Sequence, residues 1–230
     1  MAEKVEGQLR ILSYSSTPFA NREEAGKLLA VELGRYAAQK AVVLGVPRGG
    51  IVVAREIAAA LNADLDIVLA HKLRTPGHEE LAMGSVSEDG KVFLNQDVVG
   101  ELGVDEAYIE QEKARQMAEI KRRIALFRQV RPKVQLKGRT VIITDDGVAT
   151  GATTQAAFWA IRSEGPKKLI AAIPVGPAET ISRLAGDVDE MLCLRTPPFF
   201  AAVGQFYQQF HAVEDEDVLQ ILRAERKRVG

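Results

Sequence analysis

Val141-Ile142-Ile143-Thr144-Asp145-Asp146-Gly147-Val148-Ala149-Thr150-Gly151-Ala152-Thr153-Thr154 is the stretch on which the reading of this chain turns. Its apolar start, Val141 to Ile143, predicts a strand buried on both faces, as in a parallel sheet. The strand ends in two adjacent carboxylates, Asp145 and Asp146. A turn of small and hydroxyl-bearing residues follows, and helical spacing begins near Ala152. Backbone N–H groups folded around a helix start can hold an anion, and the helix dipole favours negative charge there. Carboxylates beside such a cradle suit a ligand with vicinal hydroxyls and a phosphate; a ribose 5-phosphate has both. An ordinary strand–turn–helix with Asp146 or Thr150 as the cap is the competing reading.

In order and spacing the stretch resembles the signature of the type I phosphoribosyltransferases, which bind 5-phosphoribosyl-1-pyrophosphate (PRPP). The resemblance implies that Asp145 and Asp146 contact the ribose hydroxyls. It implies that Ala149, Thr150, Gly151, Ala152 and Thr153 hold the 5-phosphate. It also implies an α/β fold: a parallel sheet with helices on both faces, a flexible-loop hairpin and a small C-terminal hood. Residues 1–230 are then one domain, with its core over about 20–195 and the hood and terminal helix over about 196–230. The resemblance spans about residues 20 to 215 and is sharpest in two loops.

Working outward from the stretch, alternating strand and helix patterns support a parallel sheet with right-handed crossovers. Asn21 with Glu24 is a capping-box-like helix start, followed by Ala25, Leu28, Leu29, Leu33 and Tyr36 at helical spacing. Residues 41–46 read as a strand, 51–61 as a helix and 65–70 as a second strand. Residues 81–86 and 91–94 flank Ser87-Glu88-Asp89-Gly90 and read as a hairpin. A long helix follows over about 105–130, a helix over about 152–163, and a strand over 169–175. A short helix from Pro177 to about Gly186, a strand over 191–194 and a terminal helix over 215–228 complete the pattern.

In open parallel sheets, ligands sit beyond the C-terminal ends of the strands. The loops expected there are residues 46–50, 71–80, 145–153 and 195 onward. Gly45-Val46-Pro47-Arg48-Gly49-Gly50 lets backbone approach an oxyanion closely, and Arg48 can chelate two oxygens. It resembles the family's pyrophosphate loop, which implies that Arg48, Gly49 and Gly50 bind pyrophosphate. His71-Lys72-Leu73-Arg74 is read as closing the second strand, with Lys72 and Arg74 on one side. The resemblance makes Lys72 a further pyrophosphate contact; a solvated basic pair at a strand end fits equally. His71 and His78 have no carboxylate assigned to them. Residues 75–94 occupy the place of the family's closing loop, and equally suit a surface hairpin. Residues 196–207 would form the hood, with Phe199 and Phe200 stacking on the acceptor.

Composition narrows the classes. The chain is 47% hydrophobic and 27% charged, which suits a globular protein with a sizeable core. With 30 basic against 31 acidic residues, nothing favours nucleic-acid binding. No apolar stretch is long enough to span a bilayer, and residues 1–6 lack a leader's apolar region, so a cytoplasmic location is expected. The single Cys193 lies in an apolar run and is expected to be a buried structural thiol. Three scattered His residues and one Cys argue against a structural zinc site.

The reaction implied is transfer of the 5-phosphoribosyl group from PRPP to a nitrogen nucleophile, a nucleobase-like acceptor, with release of pyrophosphate. Asp145, Asp146 and Arg48 are the implied catalytic residues. Mg²⁺ is the implied cofactor, carried by PRPP with no direct protein cage. A homodimer is the common family arrangement. Ala149 stands where 6-oxopurine members carry a third acid, which disfavours a hypoxanthine or guanine acceptor. A PRPP-sensing regulator without turnover fits the same loops. A dinucleotide-dependent oxidoreductase fits poorly, since the turn at Gly45 is not G-x-G-x-x-G.

Overall fold

A computed structural model describes residues 8–37 and 39–229; residues 1–6, read above for a leader, lie outside the described residues. In chain order the elements are β1 (Gln8–Ile11), α1 (Arg22–Glu32), β2 (Val42–Gly45), α2 (Gly50–Leu61), β3 (Asp64–Ile67), β4 (Ala70–Thr75), β5 (His78–Ser87) and β6 (Val92–Leu94). Then come α3 (Gln96–Glu101), α4 (Glu106–Phe127), β7 (Thr140–Thr144), α5 (Ala152–Arg162), β8 (Lys168–Val175), α6 (Ala178–Ala185), β9 (Glu190–Arg195) and α7 (Asp215–Val229).

The central sheet has six strands in the order β1-β9-β8-β7-β2-β3, and every neighbouring pair is parallel. Because side chains alternate across a strand, the apolar runs feed two cores. Val43, Ile142, Ile170 and Leu192 pack on one side, with residues of α1, α2 and α7. Leu44, Val141, Ile143, Ala171 and Met191 pack on the other, with residues of α5 and α6. The expected fold class, with helices on both faces, is what the chain adopts. Cys193 is buried and unpaired, and burial pushes its thiol up to about 12.

The chain leaves β2 for β3 on one side and returns to β7 on the other. The boundary between β2 and β7 is therefore the topological switch point, where an open α/β sheet leaves a crevice beyond its strand ends.

The structure corrects two local expectations. The apolar run over residues 65–70 is not one strand: β3 ends at Ile67, and β4 belongs to a separate antiparallel sheet ordered β4-β5-β6. His71-Lys72-Leu73-Arg74 therefore does not close a strand of the central sheet. The reason is packing, for Val68 joins one core and Leu69 the other while the chain crosses between sheets. Pairing also shifts register between Leu73 and Arg74, yet Lys72 and Arg74 line one cavity, in keeping with their expected common side. β1 and α3 have no counterpart in the sequence pattern.

The hairpin expected around Ser87 to Gly90 is present, with Ser87 N–H donating to the Lys91 carbonyl and Gly90 at φ +78°. Its sheet has a core of its own: Leu73, Met83 and Val86 against Ile109 and Ile120 of α4. The Phe93 ring packs on Trp159 of α5 at 4.9 Å. Buried Asp66 near the C-terminal end of β3 accepts from Arg128 Nη1 at 2.7 Å, and Arg128 also grips Glu88 of the hairpin turn. Residues 75–94 are thus anchored as a sheet against α4 and α5.

Candidate functional site

The two loops that sequence and resemblance single out meet at the switch point. Gly49 follows β2, and Asp146 follows β7. A Cβ on Gly49 would lie 2.0 Å from Asp146 Oδ2 and 2.6 Å from its Cγ. A Cβ on Gly50 would lie 2.8 Å from the Cα of Asp145. Only glycine lets the turn rest against the acid pair. Gly49→Ala is accordingly expected to displace the Asp146 carboxylate. Calorimetry with PRPP should show a loss of about tenfold or more, and circular dichroism should show an unchanged fold. Unchanged affinity would mean that the contact is incidental.

Asp145 and Asp146 are both partly buried. Asp145 Oδ1 accepts the Asp146 N–H at 2.8 Å. Burial first, and the Asp146 charge second, raise the Asp145 carboxyl well above the usual carboxylate range. Asp146 has a counter-charge: Arg22 Nε donates to its Oδ2 at 2.8 Å. Arg22 also donates through Nη1 to the His211 carbonyl at 2.8 Å, and its guanidinium lies 3.9 Å from the Phe210 ring centroid. Tyr207 donates its hydroxyl to the Asp146 carbonyl and stacks on Phe210 at 5.2 Å. Burial raises the Tyr207 phenol, so it remains a donor. The hood is thereby fastened to the acid pair through both side chain and backbone.

Local sequence explains how Arg22 comes to stand there. Asn21 caps α1, its Oδ1 accepting the Glu24 N–H at 2.9 Å, while Glu24 accepts the Ala20 N–H. This start fixes Arg22 in the first turn, pointing at a partner 124 positions away. Sequence reasoning singles out neither Arg22 nor Tyr207, because no local pattern marks so distant a contact.

Residues 149–153 form the start of α5. Gly151 has φ +76°, and a Cβ there would lie 2.9 Å from Leu184 Cδ1 and Thr180 Cγ2. The carbonyls of Ala149 and Thr150 accept from the Thr180 hydroxyl and from Arg183 of α6. In a trans peptide N–H points opposite to C=O, so the amides of Thr150 and Gly151 face away from α6. Ala149, Thr150 and Thr153 are exposed, whereas Gly151 and Ala152 are buried.

The remaining expected residues are distributed as follows. Arg48 is exposed and pairs with Glu214 at 2.7 Å, a contact an anionic ligand can displace. Lys72 lines a cavity of about 210 Å³ together with Pro47, Arg74, Arg123 and Thr153. That cavity touches both the Pro47 turn and the first turn of α5, and draws cations from β4 and α4. His71 lines it too; its Nδ1 meets Gln116 Oε1 at 3.0 Å, and burial lowers its pKa. Phe199 is 84% exposed, while Phe200 packs on Phe206 with ring centroids 5.0 Å apart. Phe200 also borders a cavity of about 490 Å³ beyond β8 and β9. Among the described residues there is no cluster of three His, Cys, Asp or Glu able to hold a metal, and no helix long and apolar enough to cross a membrane.

Known proteins match this architecture. The family model for the phosphoribosyl transferase domain matches residues 20–211. Two curated Mycobacterium tuberculosis proteins, from strains CDC 1551 and H37Rv, are named provisionally as phosphoribosyl transferases. Each is 43% identical over 209 residues, covering 90% of this chain. The chain spans about half the length of these curated relatives, 47% in each case. The crystal structure of TT1426 from Thermus thermophilus superposes with a TM-score of 0.86 at 43% identity, covering 90% of this chain and 99% of that one. Shared sequence over most of the fold and a matched domain model lead to one assignment: the chain belongs to the phosphoribosyl transferase domain family.

Proposed function

We propose that this protein transfers the 5-phosphoribosyl group of PRPP to a nitrogen nucleophile and releases pyrophosphate. One observation supports the reading above all: the glycine turn after β2 and the acid pair after β7 abut at the switch point, closer than any side chain at Gly49 allows. Within this reading Asp145 and Asp146 hold the ribose hydroxyls. Ala149, Thr150, Gly151, Ala152 and Thr153 receive the 5-phosphate at the start of α5, where the helix dipole favours it. Arg48 exchanges Glu214 for pyrophosphate oxygens, helped by the backbone at Gly49 and Gly50 and by Lys72 from the second sheet. The C1–O bond breaks with its electron pair leaving on pyrophosphate, and the acceptor nitrogen's lone pair forms the C1–N bond. Carboxylates near C1 stabilise the positive charge that builds on the ribose ring.

Mg²⁺ fits as an ion brought by PRPP, since the carboxylates of Asp145 and Asp146 are hard oxygen donors. When bound it neutralises pyrophosphate as a leaving group. The reading also carries a cytoplasmic homodimer that binds no nucleic acid, as the resemblance and charge balance imply.

The deciding test is calorimetric titration of PRPP with Mg²⁺ into the protein and into an Asp145→Asn/Asp146→Asn variant. Binding by the native chain, lost in the variant, supports the site; no binding by the folded native chain refutes it. Pyrophosphate release that depends on an added acceptor then supports turnover. Binding that never yields release favours the PRPP-sensing alternative.

A further inference from the structure

A cavity of about 510 Å³ opens between the start of α1, the first half of α2, the strap over residues 209–213 and α7. Its size falls within the roughly 300–1,000 Å³ of small-molecule sites. None of the residues assigned above to ribose, phosphate, pyrophosphate or acceptor lines it. Ala212, Val213, Asp217, Gln220, Ile221 and Ala224 line it from beyond residue 211, where the family match stops. This wall is therefore no part of the matched domain.

The lining combines three kinds of group. Val52 and Ile221 are buried and Val213 is half-buried, which gives apolar surface. Asn21 uses its Oδ1 to cap α1, while its Nδ2 and the side-chain amides of Gln209 and Gln220 hydrogen-bond to no other described residue. A primary amide offers a donor and an acceptor side by side, which suits a matching pair on the edge of a ring. The charges balance, with Arg22 and Arg55 against Glu23 and Asp217. Arg55 lies 3.5 Å from Glu23, and Asp217 accepts the Glu214 N–H. His211, the other titratable lining residue, gives its carbonyl to Arg22. Two charges of each sign offer an anion no net attraction.

Arg22 ties the cavity to the acid pair. Its side chain is 10% exposed; Nε donates to Asp146 and Nη1 to the His211 carbonyl, each at 2.8 Å. Its Nη2 hydrogen-bonds to no other described residue, yet it is not among the atoms sealed off from solvent without a partner. One planar guanidinium thus grips Asp146 on one edge and keeps a free donor on another.

We infer that this cavity is a second small-molecule site, which takes an uncharged, nucleoside-sized molecule with paired donor and acceptor groups and steadies Arg22 on Asp146. The occupant accepts from Arg22 Nη2, pairs with the amides of Gln209 and Gln220, and lays its ring on Val213 and Ile221. Holding Arg22 pre-organises Asp146, so the occupant raises PRPP affinity, and PRPP raises the occupant's affinity by the same factor. The site stands on its own geometry; only its effect on PRPP rests on the phosphoribosyl-transfer reading.

The experiment titrates adenosine, as the uncharged probe, into the full chain by calorimetry, with and without saturating PRPP and Mg²⁺. Adenosine is expected to bind in both conditions, about fivefold more tightly with PRPP present. With PRPP saturating, AMP should bind about fivefold or more weakly than adenosine. Gln220→Ala removes one amide and Ala224→Trp fills the cavity, both at exposed positions. The first should weaken adenosine by about fivefold and the second should abolish its binding, while PRPP affinity measured without adenosine stays unchanged. Displacement of adenosine by PRPP overturns the inference, since the probe then occupies the PRPP site. So does adenosine binding that neither substitution weakens, tighter binding of AMP, or no adenosine binding at all. An adenosine affinity that PRPP leaves unchanged overturns the coupling to Asp146. The two readings fail separately: adenosine binding that Ala224→Trp abolishes, in a chain with no affinity for PRPP, would sink the transferase reading and leave the second site standing.

Discussion

Arg22→Met is expected to lower the unfolding free energy by about 3 kcal/mol, and to weaken PRPP binding by about tenfold or more. The Arg22 and Asp146 side chains are only 10% and 15% exposed, so water does little to screen their pairing. Methionine keeps an unbranched apolar stem against Phe210, while Asp146 loses its counter-charge and the His211 carbonyl its donor. The loss thus isolates charge and hydrogen bonding from packing. Without Arg22 the Asp146 carboxylate is no longer held in place, and a misplaced acid is a poorer partner for ribose hydroxyls and for positive charge at C1. Arg22→Lys should fall between, since a lysine supplies charge but not the planar fork that spans Asp146 and His211. Urea unfolding followed by circular dichroism gives the first number, and calorimetry gives the second. If methionine leaves both unchanged, the fastening of hood to acid pair has no energetic content.

How much of this is legible in the sequence follows from the distance over which each feature is encoded. The strand, acid pair, turn and helix of residues 141–154 are contiguous, so their order alone predicts β7, the carboxylates and α5. The glycine turn before α2 is legible for the same reason. β1 is not, because four residues form a strand only by pairing with β9, about 180 positions later. The division of residues 65–75 into two strands is hidden because Val68 and Leu69 are as apolar as a strand interior, yet each serves a different core. Lys72 is assigned by resemblance, and nothing local in the sequence ties it to its cavity neighbour Arg123, which comes from α4. Thr196 looks like any hydroxyl at a strand end; only its burial without a partner sets it apart. Phe199 and Phe200 look identical in sequence, but β9 and the hood place one outward and the other against Phe206.

Asp145→Asn is expected to make the protein more stable at neutral pH, by about 1 kcal/mol, while PRPP binding falls by about a hundredfold. Burial and the neighbouring Asp146 hold the Asp145 carboxyl well above its ordinary range in the folded chain. In the unfolded chain it returns to about 3.9. From that pH up to the raised folded value, the folded state holds the proton that the unfolded state has released. Stability therefore declines as pH rises through this window, and is greatest below it. Asparagine is uncharged throughout, so the variant's stability should lack this decline and exceed the native value most clearly at its upper end. The local geometry survives, since an amide oxygen can still accept the Asp146 N–H as Asp145 Oδ1 does. What disappears is the negative charge that Asp145 carries above its raised folded value, the feature a ribose ring developing positive charge requires. Urea unfolding at several pH values, run beside PRPP titrations, separates the two effects. An acid that served only the fold would be missed on both counts. A variant that gains stability and loses its ligand would show that the native chain retains this carboxylate, at a cost to its own folding, for binding. Loss of stability together with an unchanged pH profile would refute that account, and would return Asp145 to the role of a turn residue at the end of β7.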